Sequence, residues 1–502
     1  MTRFSTWGRQ GTATLLCTAL VASSWPVSNS WAQPVGLPNI GSSESSELSP
    51  QVEAELGAAI MAQGRRDPTF IDDTEVNQYL TDMGRKLAAF APGGALQVQL
   101  FAVRDPEINA FALPGGYIGI NSGLVVSSRS ESELAGVVAH EIGHVSQRHV
   151  ARGMTQQKQS GVLMAASMAA ALLAALAGGG ANLGMGVAAF GQAAAINRQL
   201  GFSRDAEREA DRVGFQMLTR AGYDPEGMVA MFSLLMNASR LNEGAGGGAW
   251  VSTHPLSIDR LSDIQNRSRA LPASRYLDSD DYPYVRARLR VLQGRDRNSQ
   301  RSIEQQLKDE VRALSGVRQS AAYYGLTMLA LQDGDGTQAL EYHQLAIEHG
   351  RQAPMLARQR IDIARVQKNP ALSLQVAQAA FTRWPDSRAL ALSYAQALQD
   401  NGRDREAVAF LRDRGKSWAQ DEPRVFHLLA QSQSRAGDDV SARRDMARYY
   451  VAVGALQAGE SQLQQARGMT QDFYEQSQID VQIREIRERI DAQRQLLERF
   501  KS

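Results

Sequence analysis

The sequence predicts a mainly α protein of the α+β class, in which a helical domain carrying a small β-sheet precedes an α-helical repeat solenoid. Three observations carry that expectation. Apolar residues recur at helical spacing from Pro50 onward, but the period shortens to two in "LQVQLFAV" and "NAFALPGGYIGINSGLVV". After about residue 285 the pattern is wholly helical. There Gly334, Gly402 and Gly437 are separated by 68 and 35 residues, and Ala339, Ala407 and Ala442 repeat the same intervals, so the unit is about 34 residues long. A chain of 502 residues is also too long for one compact core.

The first thirty residues stand apart from that fold. Arg3 and Arg9 precede the uncharged run "TATLLCTALVASSW", and "NSWAQP" places small residues at Ser30 and Ala32, the pattern of a cleaved secretory signal over residues 1–32. The run is short for a retained membrane anchor. The single cysteine, Cys17, lies inside it, so the mature chain carries no thiol and no disulfide. Two of the 54 basic residues leave with the signal, which sets 52 against 53 acidic ones, a formal charge of −1. No strong field favours nucleic acid as a partner.

Residues 33–49 are rich in Pro, Gly and Ser and read as a flexible lead-in. Helical patterns follow over 50–63 and 74–90, then the period-two stretches punctuated by Gly115-Gly116. Helix returns in "SESELAGVVAHEIGHVSQRHVARG", where Ser130 can cap the start and Glu133 stands three residues on. From 159 to 197 no residue is charged, and two Ala/Gly-rich halves flank Gly178-Gly179-Gly180. Small side chains suit a hairpin packed within the protein; a peripheral membrane contact stays open. "NRQLGFSRDAEREADRVGFQMLTRAG" is a helix ended by Gly222, and Asp224 and Pro225 start the next. The glycine-rich "NEGAGGGAWVSTHPLS" is a loop. In the repeat half, "KNP" marks the turn of a degenerate copy near 356–384, and "QIREIRERIDAQRQLLERF" suits a final capping helix.

Chemistry concentrates in "VVAHEIGHVSQRH". His140 and His144 are one helical turn apart, so both imidazoles can reach one metal ion, while Glu141 is turned about a hundred degrees away and stands beside it as a general base toward water. His149 is nine residues beyond His140 and so falls on the opposite side of the helix as a surface or packing residue. A third ligand must come from elsewhere. In "DAEREAD" Glu207 and Asp211 share a face, so Glu207 can ligate with Asp211 behind it to orient an imidazole, whereas Glu209 points nearly opposite. Taken alone, that stretch reads rather as a solvated charged face.

"HEIGH" followed after an apolar insertion by "EREAD" resembles the gluzincins that include the HtpX-type membrane proteases and the CAAX prenyl proteases. An exported chain with that domain ahead of helical repeats is similar to the periplasmic beta-barrel assembly-enhancing proteases. The resemblance implies a zincin-type metalloprotease domain over 50–275 and tetratricopeptide repeats over 285–502. It implies one zinc ion held by His140, His144 and Glu207, with Glu141 catalytic and Asp211 supporting. It also implies that His254 in "STHPLSIDR" occupies the open zinc position and holds the enzyme latent. Asn109, Ala110 and Phe111 could serve as an edge strand for extended substrate. The expected setting is the periplasm, in association with the outer membrane. Partners would be unfolded or misassembled outer-membrane proteins and the barrel-assembly machinery. The competing expectation is a chaperone or assembly adaptor whose protease site is closed by His254.

Overall fold

The computed structural model describes residues 49–94, 96–156, 202–241, 250, 254–272, 276, 278–418 and 422–499. The expected signal, the lead-in up to its last residue, and the Ala/Gly-rich run lie outside them. Helix α1 (Pro50–Gly64) starts at Ser49, whose side chain accepts from Val52 N, and α2 (Thr74–Ala88) starts at Asp73, which accepts from Val76 N. Each cap satisfies a backbone donor that the first turn leaves unpaired.

The period-two stretches form a three-stranded sheet of β1 (Gln99–Val103), β2 (Ala110–Ala112) and β3 (Tyr117–Asn121) in the order β1-β3-β2. β1 runs parallel to β3, with Gln99 opposite Tyr117, and β2 runs antiparallel to it, with Ala110 opposite Ile120. Both faces are buried. Phe101, Val103, Phe111 and Leu113 pack on Leu56, Ile60 and Met61 of α1, while Leu100, Ala102, Ile118 and Ile120 join the main core. Alternation thus sorts one strand's residues between two apolar layers. The outer edge of β1 is closed by α2, since Asn77 Oδ1 accepts from Ala102 N at 3.0 Å and Thr81 Oγ1 donates to Leu100 O at 2.9 Å.

One element departs from expectation. "SGLVV", read as the end of the second alternating stretch, is instead helix α3 (Ser122–Ser127). A short apolar run carries no decisive period. Here Gly123 lies so close to Pro106 O that a Cβ would sit 2.0 Å from it, and the close passage of the 105–107 loop turns the chain out of the strand.

Helix α4 (Glu131–Ser146) begins at Ser130, which accepts from Glu133 N, and it is buried along nearly its whole length. It is followed by α5 (His149–Gln156), α6 (Arg204–Arg220), α7 (Pro225–Leu241) and α8 (Ile258–Arg269). α4 and α6 cross at backbone contact. A Cβ on Gly143 would lie 2.8 Å from Ala210 O, and one on Gly214 would lie 2.9 Å from Ala139 O. Only glycine allows that approach, which brings "HEIGH" beside "EREAD".

From Tyr282 onward every described element is helical: α9 (Tyr282–Gln293), α10 (Arg297–Ala313), α11 (Gly316–Gln332), α12 (Gly336–His349), α13 (Pro354–Val366), α14 (Pro370–Arg383), α15 (Arg388–Asp400), α16 (Asp404–Trp418), α17 (Arg424–Arg435), α18 (Asp439–Ala452), α19 (Leu456–Met469) and α20 (Phe473–Arg499). Successive helices pack on their neighbours, as in a solenoid. The turns between pairs share one conformation, with Gly334, Gly402 and Gly437 at positive φ and Lys368 taking the same place in the degenerate copy. The core does not divide where the composition changes. Tyr282, Val285 and Leu289 of α9 belong to the same apolar cluster as Val76, Leu80 and Leu134. Arg288 extends this junction, gripping Asp73 through Nη2 at 2.6 Å and Glu75 through Nη1 at 3.1 Å, while Arg358 reaches Glu75 at 2.7 Å. Among the described residues no helix is long and apolar enough to cross a membrane.

Candidate metal centre and active site

The i, i+4 spacing on α4 presents His140 and His144 to α6, and the close crossing of the two helices brings Glu207 onto them. His140 Nε2 lies 3.0 Å from His144 Nε2, and Glu207 stands 3.5 Å from the first imidazole and 3.4 Å from the second. His254 arrives from the chain ahead of α8, its Nδ1 3.0 Å from Glu207 Oε1 and 3.4 Å from His140 Nε2. One ligand atom from each of these four residues falls within 4.8 Å of the others, and all four are buried. Imidazole nitrogens and a carboxylate converging on one enclosed point are a donor set that fits a divalent metal. Three expected ligands and His254 are therefore brought together.

Behind each α4 histidine runs a chain of charge. Asp211, one turn beyond Glu207, places Oδ1 3.0 Å from His140 Nδ1 and is gripped in turn by Arg260, Nε to Oδ2 at 2.6 Å and Nη2 to Oδ1 at 2.7 Å. Arg260 also reaches Glu207 Oε2 at 2.7 Å and donates to Pro255 O at 2.8 Å. One buried guanidinium thus ties two carboxylates to the backbone beside His254. Sequence reasoning assigned Arg260 no role, although it lies within "STHPLSIDR"; its only signal there was an arginine following an otherwise polar loop.

The other chain corrects the reading of His149. That residue is not on the far side of α4: its Nδ1 lies 2.9 Å from His144 Nδ1, and its Nε2 lies 3.0 Å from Glu209, which Arg152 also holds at 3.0 Å. α4 ends at Ser146 and Arg148 takes φ 52°, so α5 starts in a new direction and turns His149 back toward His144. Arg148 is fixed there by Glu53 of α1 at 2.9 Å. Glu209 points away from Glu207 as expected, yet toward this histidine.

Burial disfavours every charge in the cluster, and the neighbours decide each outcome. Burial lowers His144 well below the usual imidazole value, whereas for His140 it is outweighed by Asp211 and Glu207, which raise the ring to about 9. Burial also works against Glu207, but His254 and the two paired imidazoles hold its carboxyl well below the ordinary range. Glu141 is pushed up by burial against the pull of His254 and His140. Its Oε1 accepts from Trp250 Nε1 at 3.2 Å and lies 3.4 Å from His254 Nε2. Phe202 covers the outer side, its ring 4.1 Å from that of His144.

Asn109, Ala110 and Phe111 lie at the start of β2, which packs against α4. All three are buried, and among the described residues Asn109 Oδ1 has no hydrogen-bond partner.

The chain matches the model of Peptidase family M48 over residues 74–268, the span that holds the whole cluster. It is 37% identical over 280 residues to the putative beta-barrel assembly-enhancing protease of Vibrio cholerae, a match spanning 55% of this chain and 56% of that one. To the beta-barrel assembly-enhancing protease of Escherichia coli it is 31% identical over 473 residues, covering 93% of this chain and 92% of the relative. It is also 30% identical over 195 residues to the mitochondrial metalloendopeptidase OMA1 of Arabidopsis thaliana, 39% of this chain and 36% of that one. Similarity that runs almost end to end, with the peptidase match lying over the His/Glu cluster, makes the chain a metalloprotease belonging to the beta-barrel assembly-enhancing proteases of Peptidase family M48.

Proposed function

We propose that the protein is a periplasmic zinc endopeptidase of outer-membrane protein quality control, acting on misfolded or stalled barrel proteins. The convergence of His140, His144 and Glu207 beside a separate carboxylate, Glu141, carries this reading. A single zinc ion bound by those three residues supplies Lewis acidity that polarises a carbonyl and brings the pKa of water toward about 7. Asp211 and His149 hold the imidazoles of His140 and His144 in the orientation that leaves each Nε2 for the metal. Glu141, raised by burial, accepts the proton of the attacking water and returns it to the departing amine. Extended substrate lies along Asn109, Ala110 and Phe111 through main-chain hydrogen bonds once these buried residues are uncovered, so selection is by lack of folded structure more than by side-chain identity. The helical half, read as tetratricopeptide repeats beyond about residue 285, docks substrate or the barrel-assembly machinery on its concave surface. The names of the Vibrio and Escherichia relatives support the outer-membrane role.

The second reading, an assembly adaptor with a latent protease, is favoured by one observation: His254 lies within the ligand cluster. A fourth protein donor fills the position that substrate chemistry needs. The two readings describe two states of one molecule, with His254 in or out. Purified mature wild type, Glu141→Gln and His254→Ala are compared for zinc content and for cleavage of a chemically unfolded barrel protein. One zinc in each, no cleavage by Glu141→Gln and faster cleavage by His254→Ala are expected. If none cuts while Glu141→Gln still supports barrel assembly in cells, the adaptor reading replaces the protease.

A further inference from the structure

We propose, on the zinc reading given above, that Glu53 of α1 is a positioning residue for the metal site, acting through Arg148 and His149 on His144, and that α1 makes metal affinity answer to the solenoid turn at Ala452 and Gly454. His144 offers the lone pair of Nε2 to the cluster only when its Nδ1 carries the hydrogen, and His149 sets that choice. Its Nε2 lies 3.0 Å from the Glu209 carboxylate, which can only accept, so in the neutral ring Nε2 holds the hydrogen and Nδ1 is left as an acceptor. At 2.9 Å that acceptor faces His144 Nδ1, which therefore donates.

The place of His149 depends in turn on Arg148. That residue stands at φ 52°, a region unfavourable to an L side chain, and its carbonyl accepts from Arg152 N at 2.9 Å, which starts α5 in the new direction. Glu53 holds the reversal from outside the two helices. Its Oε2 accepts from Arg148 Nε at 3.0 Å and lies 2.9 Å from Nη2, with the Glu53 side chain only 12% exposed. A contact on α1 thus sets where α5 begins, and with it the hydrogen on His144.

α1 is itself seated at its middle and at its far end. Gly57 lies against the turn after β2, where a Cβ would collide with Pro114 O, and Leu56, Ile60 and Met61 pack on the sheet. At the far end Arg65 donates to Ala452 O at 2.8 Å, and a Cβ on Gly454, which takes φ 72°, would lie 2.7 Å from Ala62 O. Ala62 is nine residues beyond Glu53, about 13 Å along the axis, with Gly57 between them. A helix clamped by backbone contact at its middle moves as one body. A push at Ala62 tilts it about Gly57 and draws Glu53 off Arg148, so one helix joins the last turns of the solenoid to the imidazole of His144.

The full mature chain is titrated with zinc against a competing chelator, and its thermal unfolding is followed alongside. Glu53→Ala is expected to weaken zinc binding several-fold, short of the about 10–100-fold expected when a direct partner of a ligand is lost. A residue that only supported the fold would lower the unfolding midpoint and leave zinc affinity where it was. In a His149→Leu background Glu53→Ala is expected to cost no further affinity, because the chain it acts through is already cut. Exchange of the pair, Glu53→Arg with Arg148→Glu, rebuilds the contact and should recover most of the loss. Gly454→Ala presses on Ala62, and Arg65→Met releases the tie without a clash; each should weaken zinc binding several-fold, and neither should do so once Glu53 is alanine. Wild-type zinc affinity in folded Glu53→Ala overturns the proposal, as does an equal loss with and without His149, or wild-type affinity in both Gly454→Ala and Arg65→Met. A wild-type chain that binds no zinc sinks the zinc reading itself and takes the proposal with it.

Discussion

His140 and His144 depend on what stands behind them. Asp211 and Arg260 back the first, and His149, Glu209 and Arg152 back the second. An imidazole whose Nδ1 is engaged keeps one tautomer and one orientation, and losing such a partner costs about 10–100-fold in metal affinity. His149→Leu is accordingly expected to weaken zinc binding by about that factor in a competition titration with a chelator, although residue 149 is not a ligand. Arg260→Met strands Glu207 and Asp211 as buried charges, so it should lose at least as much affinity and about 3–5 kcal/mol of stability in urea unfolding. Arg260→Lys restores the charge without the planar fork and should recover only part of either. Unchanged zinc affinity in His149→Leu and Arg260→Met would remove both backing chains from the account. The facing pair His140 and His144 was legible in the sequence because i, i+4 spacing on a helix is local geometry. His149 was not, because the helical wheel presumes a helix that continues, and Arg148 at φ 52° ends it.

At the scale of elements, the helical half reuses one design with one imperfect copy. Gly334, Gly402 and Gly437 take positive φ where one helix ends, and Ala339, Ala407 and Ala442 are buried in the helix that follows. In the second copy the corresponding places hold Lys368, at φ 55°, and Ser373, fully buried with its Oγ unpartnered among the described residues. A side chain in the left-handed region costs about 1–2 kcal/mol, part of which glycine returns as chain entropy, so Lys368→Gly should stabilise by about 0.5–1 kcal/mol. Ser373→Ala removes an unsatisfied hydroxyl and should add about 1 kcal/mol more. Thermal unfolding of the two single variants and the double checks both, and a lower midpoint in either single variant contradicts the equivalence of the four turns. The repeat period was visible because glycine and alanine recur for conformational and packing reasons. α3 was misread because "GLVV" fits strand and helix alike until the 105–107 loop packs against Gly123.

Over the whole molecule, the peptidase half and the helical half share a core and a buried ion cluster. Asp73 caps α2 and also receives Arg288 of α9; burial alone would raise its carboxyl, but the Arg288 guanidinium holds it well below the ordinary aspartate range. Arg288 donates as well to Tyr324 Oη at 2.8 Å, linking α2, α9 and α11. Such a junction fixes the helical half relative to the active site and does not behave as a loose tether. Arg288→Met leaves Asp73 and Glu75 short of their partner, and a loss of about 3–5 kcal/mol is expected in denaturant unfolding, with faster proteolysis between α8 and α9. Wild-type stability and an unchanged cleavage pattern would show the two halves to be held by apolar packing alone.

The sequence by itself determined the fold class, the helical and strand periods, the placing of His140 and His144 on one helix face and the 34-residue recurrence. All of these follow from short-range spacing, which one chain displays without its partners. Tertiary structure alone decided what converges from afar: Trp250 on Glu141, Arg260 on Asp211 and Glu207, His149 on His144, and Arg288 on Asp73. These contacts depend on how closely helices cross and where a helix stops. Backbone contact at Gly143 and Gly214 and a reversal at Arg148 set those features, and no periodicity records them.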